Sequence, residues 1–271
     1  MIEAKFESAH TIKKVLDAIK GLLAEVNFEA NSDGFKLEAM DSSRVALVSV
    51  RFTPDSCVQF YCEHPTLLRF ELAPLQEIID WTADNDSITF RVNREDTTSL
   101  HVICEAQNVD RVAIYTLKDG DTDPVKIGIP DRQYDAVIKL PSDELSRIVQ
   151  NMSQLSDSVL IEVNNIGLRF VSEGKKTRAS ILLKPSVGWK DEWNEGDENR
   201  VEESEPLGVT IEVKQSVSLR CSLEYLASFT KSSPLCRTAV LMMKRDMPLL
   251  VQYDFKVGKI EYYLAPLLAN A

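Results

Sequence analysis

Four times along this chain a short amphipathic helical pattern is followed by several alternating strand patterns, at spacings of about 65 residues, and repetition on that scale narrows the possible folds sharply. The first helical segment, Ala9 to Lys20, carries Ile12, Val15, Leu16 and Ile19 on one face. The second, roughly Pro74 to Trp81, carries Leu75, Ile78 and Ile79 and has proline at its start, where a missing N–H is tolerated. The third runs from Ser142 to about Gln154 with Leu145, Ile148, Val149 and Met152, and Ser142 is its expected N-cap. The fourth, roughly Ser222 to Lys231, carries Leu223, Leu226 and Phe229. The strands between them also echo one another. Asp86-Ser87 and Asp157-Ser158 open two similar alternating runs, and Gly34-Phe35-Lys36-Leu37 is answered by Gly167-Leu168-Arg169-Phe170. Each helix needs a sheet to bury its apolar stripe, so the expected class is α+β, with four strand–helix–strands units.

Lys118-Asp119-Gly120-Asp121-Thr122-Asp123-Pro124 has no periodicity and is rich in turn formers and charge, so it reads as a connector and domain boundary. A second irregular stretch, Pro185 to Pro206, is strongly acidic, contains Trp189 and Trp193, and reads as a long exposed loop.

The residues offer little chemistry. His10, His64 and His101 are isolated from one another, and the five cysteines form no CxxC pair. There is no phosphate-cradling glycine loop and no nucleophile elbow. The expectation is a protein that is not an enzyme, with no cofactor, no metal and reduced thiols. No apolar run approaches a membrane span and no signal-like segment opens the chain, so an intracellular protein without membrane contact is expected. A net charge of −11 argues against an ordinary basic nucleic-acid binder, but leaves room for a positive patch on an acidic body.

The segment Gly34 to Val48 joins two alternating strands through the polar turn Asp41-Ser42-Ser43, whose side chains can bond their own backbone. Its Met40-Asp41-Ser42-Ser43-Arg44-Val45 closely resembles the hairpin of the proliferating cell nuclear antigen family, the eukaryotic DNA sliding clamps. Further matches follow in family order: Glu3-Ala4-Lys5-Phe6, Lys13-Lys14-Val15-Leu16, Gly128-Ile129-Pro130 with Tyr134, Phe229-Thr230-Lys231, Asp246-Met247-Pro248-Leu249 and Tyr262-Tyr263-Leu264-Ala265-Pro266. They span nearly the whole chain.

The resemblance implies a DNA clamp fold of two similar domains, 1–117 and 135–271, joined by an interdomain connecting loop, 118–134. Three identical subunits would close into a ring with helices inside and sheets outside. It implies a processivity factor for replicative DNA polymerase in the nucleus, and a platform for replication and repair. By resemblance Lys13, Lys14, Lys20, Lys139, Arg147 and Lys231 face duplex DNA without reading its sequence. A partner-peptide pocket is implied at Met40, Val45, Leu47, Ile127, Ile129, Pro130, Met247, Pro248, Tyr263, Ala265 and Pro266. Its occupants would be short motifs of DNA polymerase, clamp loader, flap endonuclease and DNA ligase. Subunit contacts are implied along 111–117 (Val112, Ile114, Tyr115, Leu117) and 177–183 (Thr177, Ala179, Ile181, Leu183).

The chain also departs from the family pattern. Glu77, Asp80 and Glu224 stand where basic residues are common, and Tyr61-Cys62-Glu63-His64 replaces a basic segment. The connector carries Asp119, Asp121 and Asp123, which favours partner motifs flanked by basic residues. Where relatives carry a modifiable lysine, this chain has Asn164-Asn165-Ile166. These departures keep a second reading in view, a subunit of a heterotrimeric checkpoint clamp or a specialised second clamp.

Overall fold

A computed structural model describes residues 1–120, 133–186 and 208–267. The calls on Ile127, Ile129 and Pro130, and on the Trp189 and Trp193 loop, lie outside the described residues.

Each of the four units is a strand, a helix and three further strands. The first comprises β1 (Ile2–Phe6), α1 (His10–Ile19), β2 (Glu25–Asn31), β3 (Gly34–Met40) and β4 (Ala46–Phe52). A short strand β5 (Gln59–Cys62) precedes the second: β6 (Thr66–Glu71), α2 (Leu72–Trp81), β7 (Ser87–Val92), β8 (Ser99–Glu105) and β9 (Val112–Lys118). The third comprises β10 (Ala136–Pro141), α3 (Ser142–Ser153), β11 (Ser158–Asn164), β12 (Gly167–Glu173) and β13 (Arg178–Leu183). Another short strand, β14 (Thr210–Val213), precedes the fourth: β15 (Val217–Ser222), α4 (Leu223–Phe229), β16 (Thr238–Met243), β17 (Leu249–Phe255) and β18 (Gly258–Leu264).

The units interlock in pairs. The first strand of each unit joins the sheet of its sibling: β1 pairs with β7, β6 with β2, β10 with β16 and β15 with β11, all antiparallel. A unit on its own would therefore leave an unpaired strand and an uncovered helix. Among the described residues three sheets result, in the orders β5-β1-β7-β8-β9, β14-β10-β16-β17-β18-β4-β3-β2-β6 and β13-β12-β11-β15. The nine-stranded sheet is continuous because β4 pairs with β18 along its whole length, from Ala46–Leu264 to Phe52–Gly258.

The helices form one layer in the order α2, α1, α4, α3. The helical spacing in the sequence is kept: Ile12, Val15, Leu16 and Ile19, then Leu75, Ile78 and Ile79, then Leu145, Ile148, Val149 and Met152, are all buried. Three local expectations need correction. Ser142 is not the N-cap of α3; Pro141 holds that position, and the Ser142 hydroxyl donates instead to the Cys236 carbonyl at 2.6 Å. The second helix begins before Pro74, at Leu72. The fourth ends at Phe229, and Thr230–Leu235 continues as a 3₁₀ turn containing Pro234.

The two halves fill their cores differently. Between β1 and β9, Phe6, Phe28, Phe35, Phe52, Phe70 and Phe90 form one aromatic cluster, with Phe35 stacked on Phe52 at 4.7 Å. In the other half Phe229 stacks on Tyr262 at 4.4 Å, and the buried Tyr262 hydroxyl meets Ser232 Oγ at 2.6 Å.

Candidate functional site

The turn between β3 and β4 is built around one carboxylate. Asp41 Oδ1 accepts hydrogen bonds from the Val45 and Ala46 N–H groups at 2.8 and 2.7 Å, and Oδ2 accepts from the Ser43 N–H at 3.0 Å. The turn-forming role expected of Asp41 is thus realised, and Arg44 takes a φ of 57° to complete the reversal. A fourth donor comes from the other half of the molecule: the Tyr225 hydroxyl of α4 donates to Asp41 Oδ2 at 2.7 Å. Burial works against this charge. The hydrogen bonds from Ala46, Tyr225, Ser43 and Val45 outweigh it and hold the Asp41 carboxyl below its ordinary pKa.

Register places the candidate pocket residues beside one another. Met40 pairs with Leu47 and Leu47 with Tyr263, so the three form one row across β3, β4 and β18. This row is half-buried or exposed, whereas Ala46, Val48 and Leu264 on the opposite face are buried. The Ala265 N–H donates to the Val45 carbonyl at 3.0 Å, drawing Ala265 and Pro266 to the same end. Pro248 lies one residue before Leu249, which pairs with Leu264. Met247 and Pro266 are half-buried, and Pro248 and Ala265 exposed. Burial drives the pKa of the nearby Tyr263 hydroxyl upward, which keeps it neutral.

The candidate cations fall into three settings. Lys14 and Lys231 lie where α1 meets the 3₁₀ turn, whereas Lys20 is on the side of α1 that faces α2. Lys14 Nζ donates to the Pro234 carbonyl at 3.4 Å, and Lys231 Nζ lies over Gly21, close enough that a Cβ there would meet it at 3.1 Å. Lys13, Lys20 and Arg147 carry their own counter-charges: Asp84 at 2.8 Å, Asp17 at 2.6 Å and Glu144. The hydrogen bond to Asp17 raises the Lys20 pKa. Lys139 stands apart. It alternates with Ile138 and Leu140, both fully buried, so it projects from the face of β10 opposite the core. On α2, Gln76 donates to Asp80 at 2.8 Å and to Asp17 at 3.3 Å, and Glu77 is exposed. The helix layer is therefore a mixed-charge surface, more positive at the α1–3₁₀ seam than on α2.

Among the described residues two long strands, β9 and β13, end their sheets without a partner. Val112 and Ile114 on β9 are 58% and 64% exposed, and β13 alternates between exposed and half-buried positions up to Ser180. Thr177 precedes β13; Ala179, Ile181 and Leu183 pack partly against the core, as does Tyr115, and Leu117 is buried in it. The other edges are short or covered. Strands β5 and β14 have four residues each, the β6 edge receives the Gly120 N–H at the Arg69 carbonyl, and the β15 edge receives the Leu267 N–H at the Arg220 carbonyl.

Sequence reasoning missed Asp84, Gln76, Trp81 and Tyr225. Asp84 gathers Lys13 and His10, and Trp81 is 68% exposed beside Tyr115, ring centroids 6.3 Å apart. Only the exposure of a tryptophan at the end of an otherwise amphipathic helix could have drawn attention beforehand. The five cysteines are free, and burial pushes the Cys221 thiol up to about 12. Among the described residues no helix is long and apolar enough to cross a membrane.

Comparison with known proteins agrees with this geometry. Residues 1–124 match the family description "Proliferating cell nuclear antigen, N-terminal domain", and residues 128–267 match "Proliferating cell nuclear antigen, C-terminal domain". The chain is 34% identical over 272 residues to proliferating cell nuclear antigen of Chaetomium thermophilum, covering 100% of this chain and 99% of that protein. It is 33% identical over 266 residues to the Saccharomyces cerevisiae protein of the same name, covering 98% of each. With both halves matched in order, the chain belongs to the proliferating cell nuclear antigen family and has the α+β clamp fold of a DNA sliding clamp.

Proposed function

We propose that three copies of this chain close head to tail, β9 of one against β13 of the next, into a ring whose helix layer surrounds duplex DNA. The observation that carries this reading is the pair of long unpaired edges. An exposed apolar edge is an aggregation hazard unless something pairs with it, and a heterologous contact repeated around an axis closes a ring. The division into domains at 1–117 and 135–271, with 118–134 between them, belongs to the same reading.

DNA would be held by confinement, assisted by Lys14 and Lys231 at the α1–3₁₀ seam, by Lys13 and Lys20 on the other side of α1, and by Arg147 on α3. Phosphate attraction of this kind carries no sequence information, which suits sliding. Because Asp17, Asp80, Asp84 and Glu144 offset much of the charge, binding depends little on salt compared with an ordinary DNA-binding protein. Lys139 would act from outside the helix layer, at the rim.

The row of Met40, Leu47 and Tyr263, with Val45, Met247, Pro248, Ala265 and Pro266, would seat the short motifs of DNA polymerase, clamp loader, flap endonuclease and DNA ligase. Ile127, Ile129 and Pro130 of the connector would complete that pocket. Enclosure and docking account for the work without a catalytic residue, and replication places the protein in the nucleus.

The test is topological. Purified protein loaded on closed circular DNA should stay bound and should run off when the circle is cut. Loss at equal rates from circle and linear duplex would end the ring proposal. Light scattering after size exclusion should give the mass of three chains. A monomer that assembles only with other gene products would replace the homotrimer with the heterotrimeric reading.

A further inference from the structure

Of the three histidines only His10 lies on a helix. With Lys13, Asp17 and Lys20 it forms one stripe of α1 at helical spacing, on the side away from the buried Ile12, Val15, Leu16 and Ile19. The stripe runs beside α2, whose Gln76 Nε2 reaches Asp17 at 3.3 Å, and the turn after α2 brings Asp84 to the start of α1. There His10 Nδ1 lies 3.2 Å from Asp84 Oδ2, and Lys13 Nζ lies 2.8 Å from Asp84 Oδ1. The His10 backbone N–H also donates to the Asp84 carbonyl at 3.2 Å, which ties the helix start to the turn.

One carboxylate thus serves two bases. The hydrogen bonds from Lys13 and from His10 hold the Asp84 carboxyl below its ordinary pKa, so it stays ionised well below neutral pH. Three other charged groups stand around His10. Glu7 is exposed before the helix, Asp86 is buried and paired with Arg111 at 3.3 Å, and Lys14 donates to the Pro234 carbonyl. With His10 neutral, Asp84 cancels Lys13 and the trio has no net charge. With His10 protonated, the trio carries one positive charge. Histidine makes that change between roughly pH 5 and 8, where lysine and aspartate ordinarily keep theirs. The side chains of His10 and Asp84 are about half exposed, so the change is presented to the surface.

We propose that His10 is a further phosphate contact of the helix layer, engaged when it is protonated, and that Asp84 masks Lys13 until then. The inference rests on that layer facing duplex DNA. A protonated imidazole donates from both ring nitrogens, so with Nδ1 on Asp84 its Nε2 is left for a phosphate oxygen. The ring and the Lys13 ammonium then share one carboxylate, which cannot cancel both. One added charge per subunit counts in a layer where Asp17, Asp80 and Glu144 offset most of the other cations. Duplex DNA is therefore held more firmly in mild acid than in mild alkali.

Fluorescence polarisation of the full chain on a short labelled duplex, at fixed low salt, tests this. The parent should bind at least about threefold more tightly at about pH 6 than at about pH 8. His10→Gln should lose that gain. His10→Lys, with a fixed charge, should bind in alkali as the parent does in acid. His101→Gln should keep the gain, since His101 lies on β8 between the fully buried Leu100 and Val102 and projects from the sheet face opposite the core. Asp84→Asn should bind more tightly than the parent at about pH 8, with Lys13 unmasked. A gain that survives His10→Gln, disappears equally in His101→Gln or never occurs overturns the His10 contact. Unchanged affinity of Asp84→Asn overturns the masking of Lys13. Both results leave the ring standing. Failure of the parent to bind duplex at either pH would overturn the DNA-facing helix layer itself, and this contact with it.

Discussion

The joint between β4 and β18 and the open edges of β9 and β13 are the same kind of place with opposite fates. Each of these four is the last strand of its unit, and each ends the three-stranded run that its unit contributes. Two of them, β4 and β18, meet inside the chain across seven register pairs. The other two end their sheets with side chains exposed. Four equal units thus provide four equal edges, of which folding joins only one pair. What separates the two cases is the second set of contacts at the joint. There α1 packs against the 3₁₀ turn and α4, and Tyr225 reaches Asp41. Among the described residues nothing provides the same for β9 and β13.

The strongest way to break this comparison is to damage both places. Val48, buried in the middle of β4 between Ala39 and Tyr262, should not tolerate proline. Val48→Pro removes a ladder donor in a central strand and should cost about 3 kcal/mol or more. Circular dichroism should show loss of cooperative folding; a native-like melt would mean that the joint is dispensable. By contrast, Val112→Lys with Ile114→Lys should change monomer stability by about 0.5 kcal/mol or less while preventing assembly, because lysines on an edge discourage pairing. Sedimentation and thermal melting of the same sample separate the two effects.

The Asp41 contact sharpens the comparison further. Removing the hydroxyl with Tyr225→Phe deletes a hydrogen bond to a charged acceptor and should cost about 1.5–3 kcal/mol in chemical denaturation. An unchanged midpoint would show that the helix contacts alone hold the joint. The Asp41 carboxyl has a folded-state pKa below its unfolded one. Its ionised form therefore adds stability above the unfolded value of about 3.9, and that stability is lost as pH falls through the lower folded value. Asp41→Asn should accordingly be less stable than the parent at neutral pH, with the gap narrowing below about pH 4. A constant gap on acidification would mean that the charge is not what the turn requires. The smallest effect is expected for Lys139→Ala. The residue stands apart from the α1 seam, so retention on circular DNA should change less than with Lys14→Ala or Lys231→Ala. An equal loss would place Lys139 in the same contact.

The parts of the molecule legible in advance are those whose signal is local. Helix positions followed from apolar spacing, and the hairpin from Asp41 and its neighbours, because side-chain period and turn chemistry act over a few residues. Ser142 was misread because its hydroxyl found the Cys236 carbonyl, a partner distant in sequence, in place of its own helix terminus. Gln76 gave no signal in the sequence, because one of the carboxylates that holds its amide, Asp17, comes from another helix. Lys139 was grouped with the other cations by resemblance, and strand alternation then set it on a different face.

On its own, then, the sequence determined the four units, their helix faces and the turn at Asp41, since each depends on neighbours along the chain. Only the tertiary structure decided which strand enters which sheet, which edges meet and which carboxylates sit beside which cations. Those outcomes depend on register and on contacts between segments as far apart as Asp41 and Tyr225, and no local period encodes them.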